Sequence, residues 1–287
     1  MADKKINRRE FLKLAGLGTA AAVIAVPKVG EVVGPALRSV LRGGAHPGDT
    51  GGGNHRWVMV IDLARCDGCG ACTDACSAMH MVPTGQEWIK VYKMQHPTLD
   101  SSYFFPRPCM HCDNPPCVNV CPVDATYKRS DGLVLIDQDR CIGCRICMAA
   151  CPYSARYFNW AEPPHTEQEL AEVYSVETNM PHRKGVVEKC LFCPSLTKQG
   201  LLPSCVSGCP MGAIFFGDEN EDAVTNSQGE THRLSELLVE GAAERHLEEL
   251  GTEPRVWYLP PRTMSAETQS DRLSEVDPEL QGQGAFT

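Results

Sequence analysis

The sequence has 287 residues, a formal net charge of −9 and 43% hydrophobic residues. That length allows one large domain or two modest ones with hydrophobic cores, and the acidic balance argues against a nucleic-acid partner. Its sixteen cysteines are the unusual feature. Cysteine at this density indicates disulfides, zinc sites or iron–sulfur clusters, and the spacing must decide among them.

The first 27 residues have the pattern of an export signal. A charged segment with paired arginines, Arg8 and Arg9, precedes a largely apolar stretch over residues 14–26. This stretch is too short to span a bilayer comfortably but fits the apolar region of a signal peptide. The run Arg-Arg-Glu-Phe-Leu-Lys resembles a twin-arginine signal; a basic amphipathic anchor or a chance arginine pair is the alternative. We therefore predict export by the twin-arginine (Tat) translocase to the periplasm, or to the extracytoplasmic face of the cytoplasmic membrane.

The rest of the chain is expected to fold from Arg56 onward, after a glycine-rich flexible linker over residues 28–55. Local patterns then predict a strand over 57–62, a β-hairpin over 125–136 with an Asp-Gly turn, a strand-like run over 212–216, a helix over 234–250 and a strand over 255–259. The polar residues 261–287 predict a disordered tail. No segment beyond the signal reaches 18 apolar residues, so we do not expect the mature body to cross a membrane.

The cysteines fall into four quartets that repeat one frame. Each quartet has the form Cys-x2-Cys, a variable gap, then Cys-x3-Cys, and proline follows the last cysteine in three of them. The quartets are Cys66, Cys69, Cys72 and Cys76; Cys109, Cys112, Cys117 and Cys121; Cys141, Cys144, Cys147 and Cys151; and Cys190, Cys193, Cys205 and Cys209.

This frame predicts four [4Fe–4S] clusters. A loop with cysteines at every third position can wrap one face of a cubane, and the fourth thiolate must approach from another direction. In bacterial two-cluster ferredoxins the fourth cysteine of such a run binds the other cluster, and the following proline stops helix continuation.

Three alternatives compete with the cluster interpretation. Eight disulfides would need well-separated partners, whereas Cys66, Cys69 and Cys72 lie within seven residues. Zinc fits Cys-x2-Cys pairs but assigns no role to the Cys-x3-Cys-Pro ending. A degenerate repeat with lost clusters is disfavoured because all sixteen ligands are present.

Several residues outside the quartets carry weaker predictions. Four cations lie one or two residues before the first cysteine of a quartet: Arg65, Arg107, Arg140 and Lys189. They either stabilise an anionic cluster and raise its reduction potential or are ordinary solvated charges. His111 is expected to pack or hydrogen-bond rather than bind iron, because its quartet is complete. The aromatic residues are expected in the core or as cluster shielding: Trp88, Phe104, Phe105 and Trp160. No residue pattern predicts a catalytic site.

The motifs over 109–117, 141–153 and 188–193 resemble the four-cluster iron–sulfur subunits of membrane-bound respiratory oxidoreductases, which include the dimethyl sulfoxide, polysulfide and tetrathionate reductases. The resemblance covers residues 56–259 and implies the following ligands. Cluster 1 takes Cys66, Cys69, Cys72 and Cys209; cluster 2 takes Cys109, Cys112, Cys117 and Cys151; cluster 3 takes Cys141, Cys144, Cys147 and Cys121; cluster 4 takes Cys190, Cys193, Cys205 and Cys76.

The resemblance also implies a fold and a domain organisation. The fold would be α+β, with two bacterial-type 2[4Fe–4S] ferredoxin modules, the second inserted in the first, loop-rich surroundings and a C-terminal helix. The segments would be a signal peptide (1–27), a linker (28–55), a discontinuous outer module (56–108 and 185–260), an inner module (109–158), an insert (159–184) and a tail (261–287).

The function implied by the resemblance is non-catalytic electron transfer. The subunit would connect an integral membrane quinol-interacting subunit of the NrfD-like kind to a catalytic or multihaem cytochrome subunit in a periplasm-facing complex. The twin-arginine signal resembles those of the tetrathionate-reductase, NrfC-type and DsrO-type subunits, and the insert resembles the DsrO-type subgroup best. The alternative is a free soluble periplasmic polyferredoxin; an exposed apolar patch next to an outer cluster would favour the subunit.

Overall fold

The computed structural model describes residues 53–95 and 102–261. The predicted signal peptide, nearly all of the linker and the tail after residue 261 lie outside this range. The twelve strands of the described part are β1 Trp57–Asp62, β2 Lys90–Gln95, β3 Ser102–Arg107, β4 Thr126–Lys128, β5 Val134–Ile136, β6 Tyr157–Phe158, β7 Val187–Glu188, β8 Ile214–Asp218, β9 Ala223–Thr225, β10 Thr231–Arg233, β11 Glu244–Arg245 and β12 Val256–Leu259.

The helices are short and alternate with these strands. They are α1 Ala71–His80, α2 Pro116–Asn119, α3 Ile146–Ala150, α4 Glu167–Ala171, α5 Pro194–Thr197, α6 Ser204–Ser207, α7 Leu234–Glu240 and a 3₁₀ turn Glu248–Leu250. This mixture of short helices and strands is α+β, as predicted. None of the helices in the described ranges combines the length and the apolar character that a bilayer span requires.

The largest sheet has six strands in the order β10-β9-β8-β1-β12-β11. The predicted strand β1 lies inside it, antiparallel to β8 and parallel to β12. Its residues 58–61 are all buried, as expected for an apolar strand covered on both faces. A strand near the start of the folded body is thus held between two strands near its end.

Side-chain alternation along β1 divides the core in two. Met59 and Ile61 face a core that contains many of the cysteines. Val58 and Val60 face the opposite side, where they join a cluster with Leu234 at the start of α7. One face of the sheet therefore supports the cysteine-bearing loops, and the other is covered by the C-terminal helix.

The predicted hairpin and final strand are confirmed. Strands β4 and β5 pair antiparallel, and Gly132 in their turn has φ 86°, which glycine adopts without a Cβ penalty. The run after the fourth quartet forms β8, and β12 supplies the final strand.

The predicted helix over 234–250 is wrong in its second half, because α7 ends at Glu240. Gly241 lies so close to its surroundings that a Cβ there would be 2.6 Å from the Leu237 carbonyl oxygen. Ala242 then has φ 47°, which turns the chain out of the helix. The residues that follow add β11 to the edge of β12, so pairing with the sheet outweighs the helical periodicity.

Candidate functional site: a row of cysteine-lined pockets

Every Cys-x2-Cys segment makes the same left-handed turn. The residue directly before the second cysteine has positive φ in all four: Gly68 at 78°, His111 at 41°, Gly143 at 68° and Phe192 at 61°. Such a residue curls the backbone so that neighbouring N–H groups point into a concavity that suits an anion. Glycine adopts this conformation freely, whereas a larger residue costs about 1–3 kcal/mol that its surroundings must offset.

For His111 and Phe192, stacking of the two side chains against each other offsets that cost. Their rings stack with centroids 3.9 Å apart. His111 Nε2 donates to the Cys190 carbonyl oxygen at 3.0 Å, and its Nδ1 accepts from the Val134 amide at 3.1 Å. Burial holds the pKa of His111 well below its usual range, so the ring is neutral. The predicted packing and hydrogen-bonding role is confirmed, and both nitrogens are occupied by backbone partners.

Short helices carry the later cysteines of each quartet. Helix α1 presents Cys72 and Cys76, α2 presents Cys117, α3 presents Cys147, and α6 presents Cys205. Each helix begins directly after a loop or a proline, so its cysteines approach from a different direction than those of the loop. This arrangement brings cysteines from distant parts of the sequence together.

Two sets of cysteines line pockets that open to solvent. Set 1 is Cys66, Cys69, Cys72 and Cys209, which line one pocket together with Val91, Pro106 and Met211. Set 3 is Cys121, Cys141, Cys144 and Cys147, which line another together with Ile142, Arg145 and Val187. Each set has one exposed cysteine, Cys69 and Cys144 respectively.

The other two sets lie deeper. Set 4 is Cys76, Cys190, Cys193 and Cys205, all buried; burial raises the pKa of Cys205, and the other three members raise it further. Set 2 is Cys109, Cys112, Cys117 and Cys151, of which three are buried; burial raises the pKa of Cys112 to about 12, and the other three again add to the shift.

The sets follow one another in the order 1–4–2–3. Sets 1 and 4 meet where Cys72 lies within electrostatic reach of Cys205. Sets 4 and 2 meet at Cys190 and Cys109, and sets 2 and 3 meet at Cys117 and Cys147. The members are the sixteen cysteines that the resemblance grouped, so each expected ligand set is brought together in space.

The donor chemistry of these sets fits iron–sulfur clusters. None of the sixteen cysteines forms a disulfide, and they lie in four sets of four. Burial raises the pKa of Cys66 and Cys190 to about 12 and that of Cys72 and Cys193 to about 11, so metal binding must displace protons. Bound clusters would supply one-electron redox chemistry, with potentials that respond to hydrogen bonds to sulfur.

Backbone amides and a histidine already lie at hydrogen-bonding distance from cysteine sulfur atoms. The Ala213 amide donates to Cys209 at 3.4 Å, and the Thr126 amide donates to Cys121 at 3.5 Å. His80 Nε2 lies 3.1 Å from the Cys193 sulfur; its pKa is lowered to about 4, by burial first and then by His182, so the ring is neutral. No spacing rule in the sequence pointed to His80.

The four predicted cations behave differently from one another. Lys189 is buried, and its Nζ donates to the Cys190 carbonyl oxygen at 2.7 Å. Arg65 pairs with carboxylates, including Asp62 at 3.2 Å, and Arg107 bonds the Tyr92 hydroxyl. Arg140 is exposed. The sequence missed a fifth cation, Arg156, which is buried among the cysteines of sets 2 and 3; it follows its quartet rather than preceding it.

Of the four aromatic residues expected in the core or as cluster shielding, three are buried, whereas Trp160 does not lie in the core. Trp88, Phe104 and Phe105 are buried. Trp160 is 68% exposed, and Arg145 lies over its ring at 4.5 Å from the centroid. The guanidinium holds one face of the indole outside the core and next to the set 3 pocket.

Family models and curated relatives match this arrangement. A model of the 4Fe-4S dicluster domain matches residues 65–125, and a second model of the same description matches residues 101–171. Together they cover three of the four quartets.

Curated relatives match a larger part of the chain than the two family models do. The chain is 41% identical to the putative iron-sulfur protein of the dimethyl sulfoxide reductase of Halobacterium salinarum, over 70% of this chain and 78% of that protein. It is 41% identical to the menaquinone reductase iron-sulfur cluster-binding subunit of Nitratidesulfovibrio vulgaris, over 71% and 88%. It is 35% identical to a subunit of the tetrathionate reductase of Salmonella typhimurium, over 88% of each chain. The chain belongs to the family of ferredoxin-type [4Fe–4S] subunits of respiratory oxidoreductases.

Proposed function

We propose that this protein is the electron-transfer subunit of a respiratory complex and conducts electrons through four [4Fe–4S] clusters. The row of cysteine sets carries this proposal. Two sets are buried in the middle and two open to solvent at the ends, which is the arrangement that a conductor between two partners needs. Four thiolates for each cubane leave no open iron position, so we assign no catalytic step to the chain.

In this proposal each set holds the cluster of the same number. Sets 1 and 4 exchange their fourth cysteines, Cys209 and Cys76, and sets 2 and 3 exchange Cys151 and Cys121. The pairing of β1 with β8 and β12 supports an outer module built from both ends of the folded body, with the inner module between its halves. The family model that matches residues 65–125 spans the first two quartets instead. In this proposal those two quartets share the sequence frame but do not share a cluster.

An exposed patch next to set 3 favours a role within a complex over a free shuttle. It consists of Ile142, Ile146 and Trp160, which are 64%, 47% and 68% exposed, together with Arg145 stacked on the tryptophan. Arg145 has no carboxylate partner among the described residues. Apolar side chains grouped around a terminal redox centre are typical of a docking surface.

The partners and location follow from the family and the signal. We infer a quinol-handling membrane subunit on one side and a catalytic or cytochrome subunit on the other, on the periplasmic face of the membrane, reached through the twin-arginine translocase. The name of the Nitratidesulfovibrio relative, a menaquinone reductase subunit, supports the quinone link.

One experiment tests the role within a complex against the free shuttle. Spheroplasts of the source organism would receive a soluble menaquinol analogue while cluster reduction in the tagged chain is followed by EPR. We expect quinol-dependent reduction in the wild type and a rate about tenfold lower in Trp160→Glu, equivalent to a loss of about 1.4 kcal/mol at the docking surface. Val239→Glu is the matched control, because Val239 is 81% exposed on α7.

Two outcomes would contradict the proposal. The first is a tagged chain that leaves with the soluble periplasmic fraction when the spheroplasts are prepared, so that the spheroplasts show no quinol-dependent cluster reduction. The second is an equal loss of rate in the Trp160 and Val239 variants. Replacing Arg8 and Arg9 by lysine should retain the chain in the cytoplasm, and periplasmic appearance of that variant would refute the twin-arginine route.

A further inference from the structure

The buried arginines of the described residues are of two kinds. Arg129 pairs with Asp131 at 2.6 Å, and Arg255 pairs with Asp113 at 3.2 Å. Arg156 is as deeply buried, at 4% exposure, but within the described ranges it has no carboxylate partner. Its Nη2 also has no hydrogen-bond acceptor. A guanidinium in this situation is costly, because both its charge and its donors have lost water.

The surroundings of Arg156 are two of the cysteine sets. Its Nη1 donates to the Thr126 hydroxyl at 3.2 Å, and its charge lies within electrostatic reach of Cys147 of set 3. Its other electrostatic neighbours are Cys109, Cys117 and Cys151, all of set 2. The guanidinium therefore lies between the two sets.

The cysteines can balance this charge only as thiolates. Neutral thiols would leave the buried guanidinium without a counter-charge, whereas thiolates bound to a cluster would provide one. A cluster with four thiolates is an anion and becomes more negative on reduction. The unpaired guanidinium thus fits two anionic groups next to it, which rests on the cluster assignment proposed above.

We propose that Arg156 is the shared counter-cation of clusters 2 and 3 and raises the reduction potentials of both. A fixed positive charge in a poorly solvated interior stabilises the reduced, more negative form of each cluster. Arginine suits the position because it keeps its charge at every physiological pH and offers donors in several directions. Clusters 1 and 4 lie further along the row and should respond much less.

The test is an EPR-monitored redox titration of the anaerobic holoprotein. In Arg156→Gln we expect the equilibrium constant for reduction to fall at least tenfold for two of the four clusters, which lowers their reduction potentials by about 59 mV or more for one electron. The other two clusters should keep their potentials. Arg156→Lys should restore most of the shift. Arg140→Gln is the matched control: it removes a cation next to Cys141 that is exposed to water, so screening should make its effect much smaller.

The experiment remains decisive even if Arg156→Gln, the variant without the charge, assembles its clusters poorly. Loss of two clusters in Arg156→Gln with their retention in Arg156→Lys also supports a role for the charge. Equal loss in both variants would assign Arg156 a purely steric role and overturn the proposal, as would unchanged potentials or an equal shift of all four clusters in Arg156→Gln. Iron in the wild type is measured first, so failure of the four-cluster function is recognised separately.

Discussion

At the residue scale, Gly143 shows how tightly the cysteine loops are built. A Cβ at this position would lie 2.1 Å from the Gly185 carbonyl oxygen, a separation that backbone atoms cannot tolerate. Its φ of 68° adds a second reason for glycine. Gly70, in the loop of Cys69, has the similar φ of 76°, but nothing lies within 4 Å of its would-be Cβ. Substitution of Gly143 would therefore cause both a steric clash and backbone strain, whereas substitution of Gly70 would cause backbone strain alone.

Gly143→Ala should displace the loop of Cys141 and Cys144 and cost the protein cluster 3. We expect iron content to fall by about four atoms per chain, the content of one cubane. Gly70→Ala adds only backbone strain of about 1–3 kcal/mol, so it should keep its iron and lose some thermal stability. Equal iron in both variants, measured after anaerobic purification, would refute the steric role of Gly143.

At the scale of elements, helices α1 and α6 explain how two sets can exchange ligands. Cys72 and Cys76 lie one turn apart on α1, yet Cys72 neighbours Cys209, whereas Cys76 neighbours Cys190 and Cys193. The two helices approach closely at Gly208, where a Cβ would lie 2.5 Å from the Ala75 methyl group. At this crossing, Cys72 of α1 joins set 1 with Cys209, which lies just after α6, and Cys76 of α1 joins set 4 with Cys205 of α6.

The crossing predicts which cysteine variants resemble one another. Cys76→Ser and Cys205→Ser should perturb the same EPR signal, although 129 residues separate them. Cys209→Ser should instead match Cys66→Ser. The altered cluster should become a three-iron form or be lost, because one thiolate ligand is missing. Matching of Cys76 with Cys66, and of Cys205 with Cys209, would show that each quartet closes on itself and would contradict the exchange.

The features that could be predicted from the sequence are those with a local cause. The strand at 57–62 and the Asp-Gly hairpin follow from short-range patterns, and the cysteine frame predicts the redox chemistry. The end of α7 could not be predicted, because pairing of β11 with β12 is a tertiary effect. For a similar reason, the sequence did not reveal that Arg156 is buried or that Trp160 is exposed. Both properties depend on how separate loops meet.

At the scale of the whole molecule, the described body contains two solvent-facing cysteine sets with two buried sets between them. Their different surroundings suit two different partners. Set 1 opens next to Val91, Pro106 and Met211, whereas set 3 opens next to the patch of Trp160 and Arg145. This asymmetry supports a conductor with a distinct partner at each end.

Iron and acid-labile sulfide per chain test this account most directly. The full-length protein, purified without oxygen from its own host, should contain about 16 iron and about 16 sulfide, four of each for every set of four cysteines. Its metal content should include no stoichiometric zinc. A chain that holds zinc in place of iron, or that reproducibly holds about eight iron with half of the cysteines free, would contradict the four-cluster conductor.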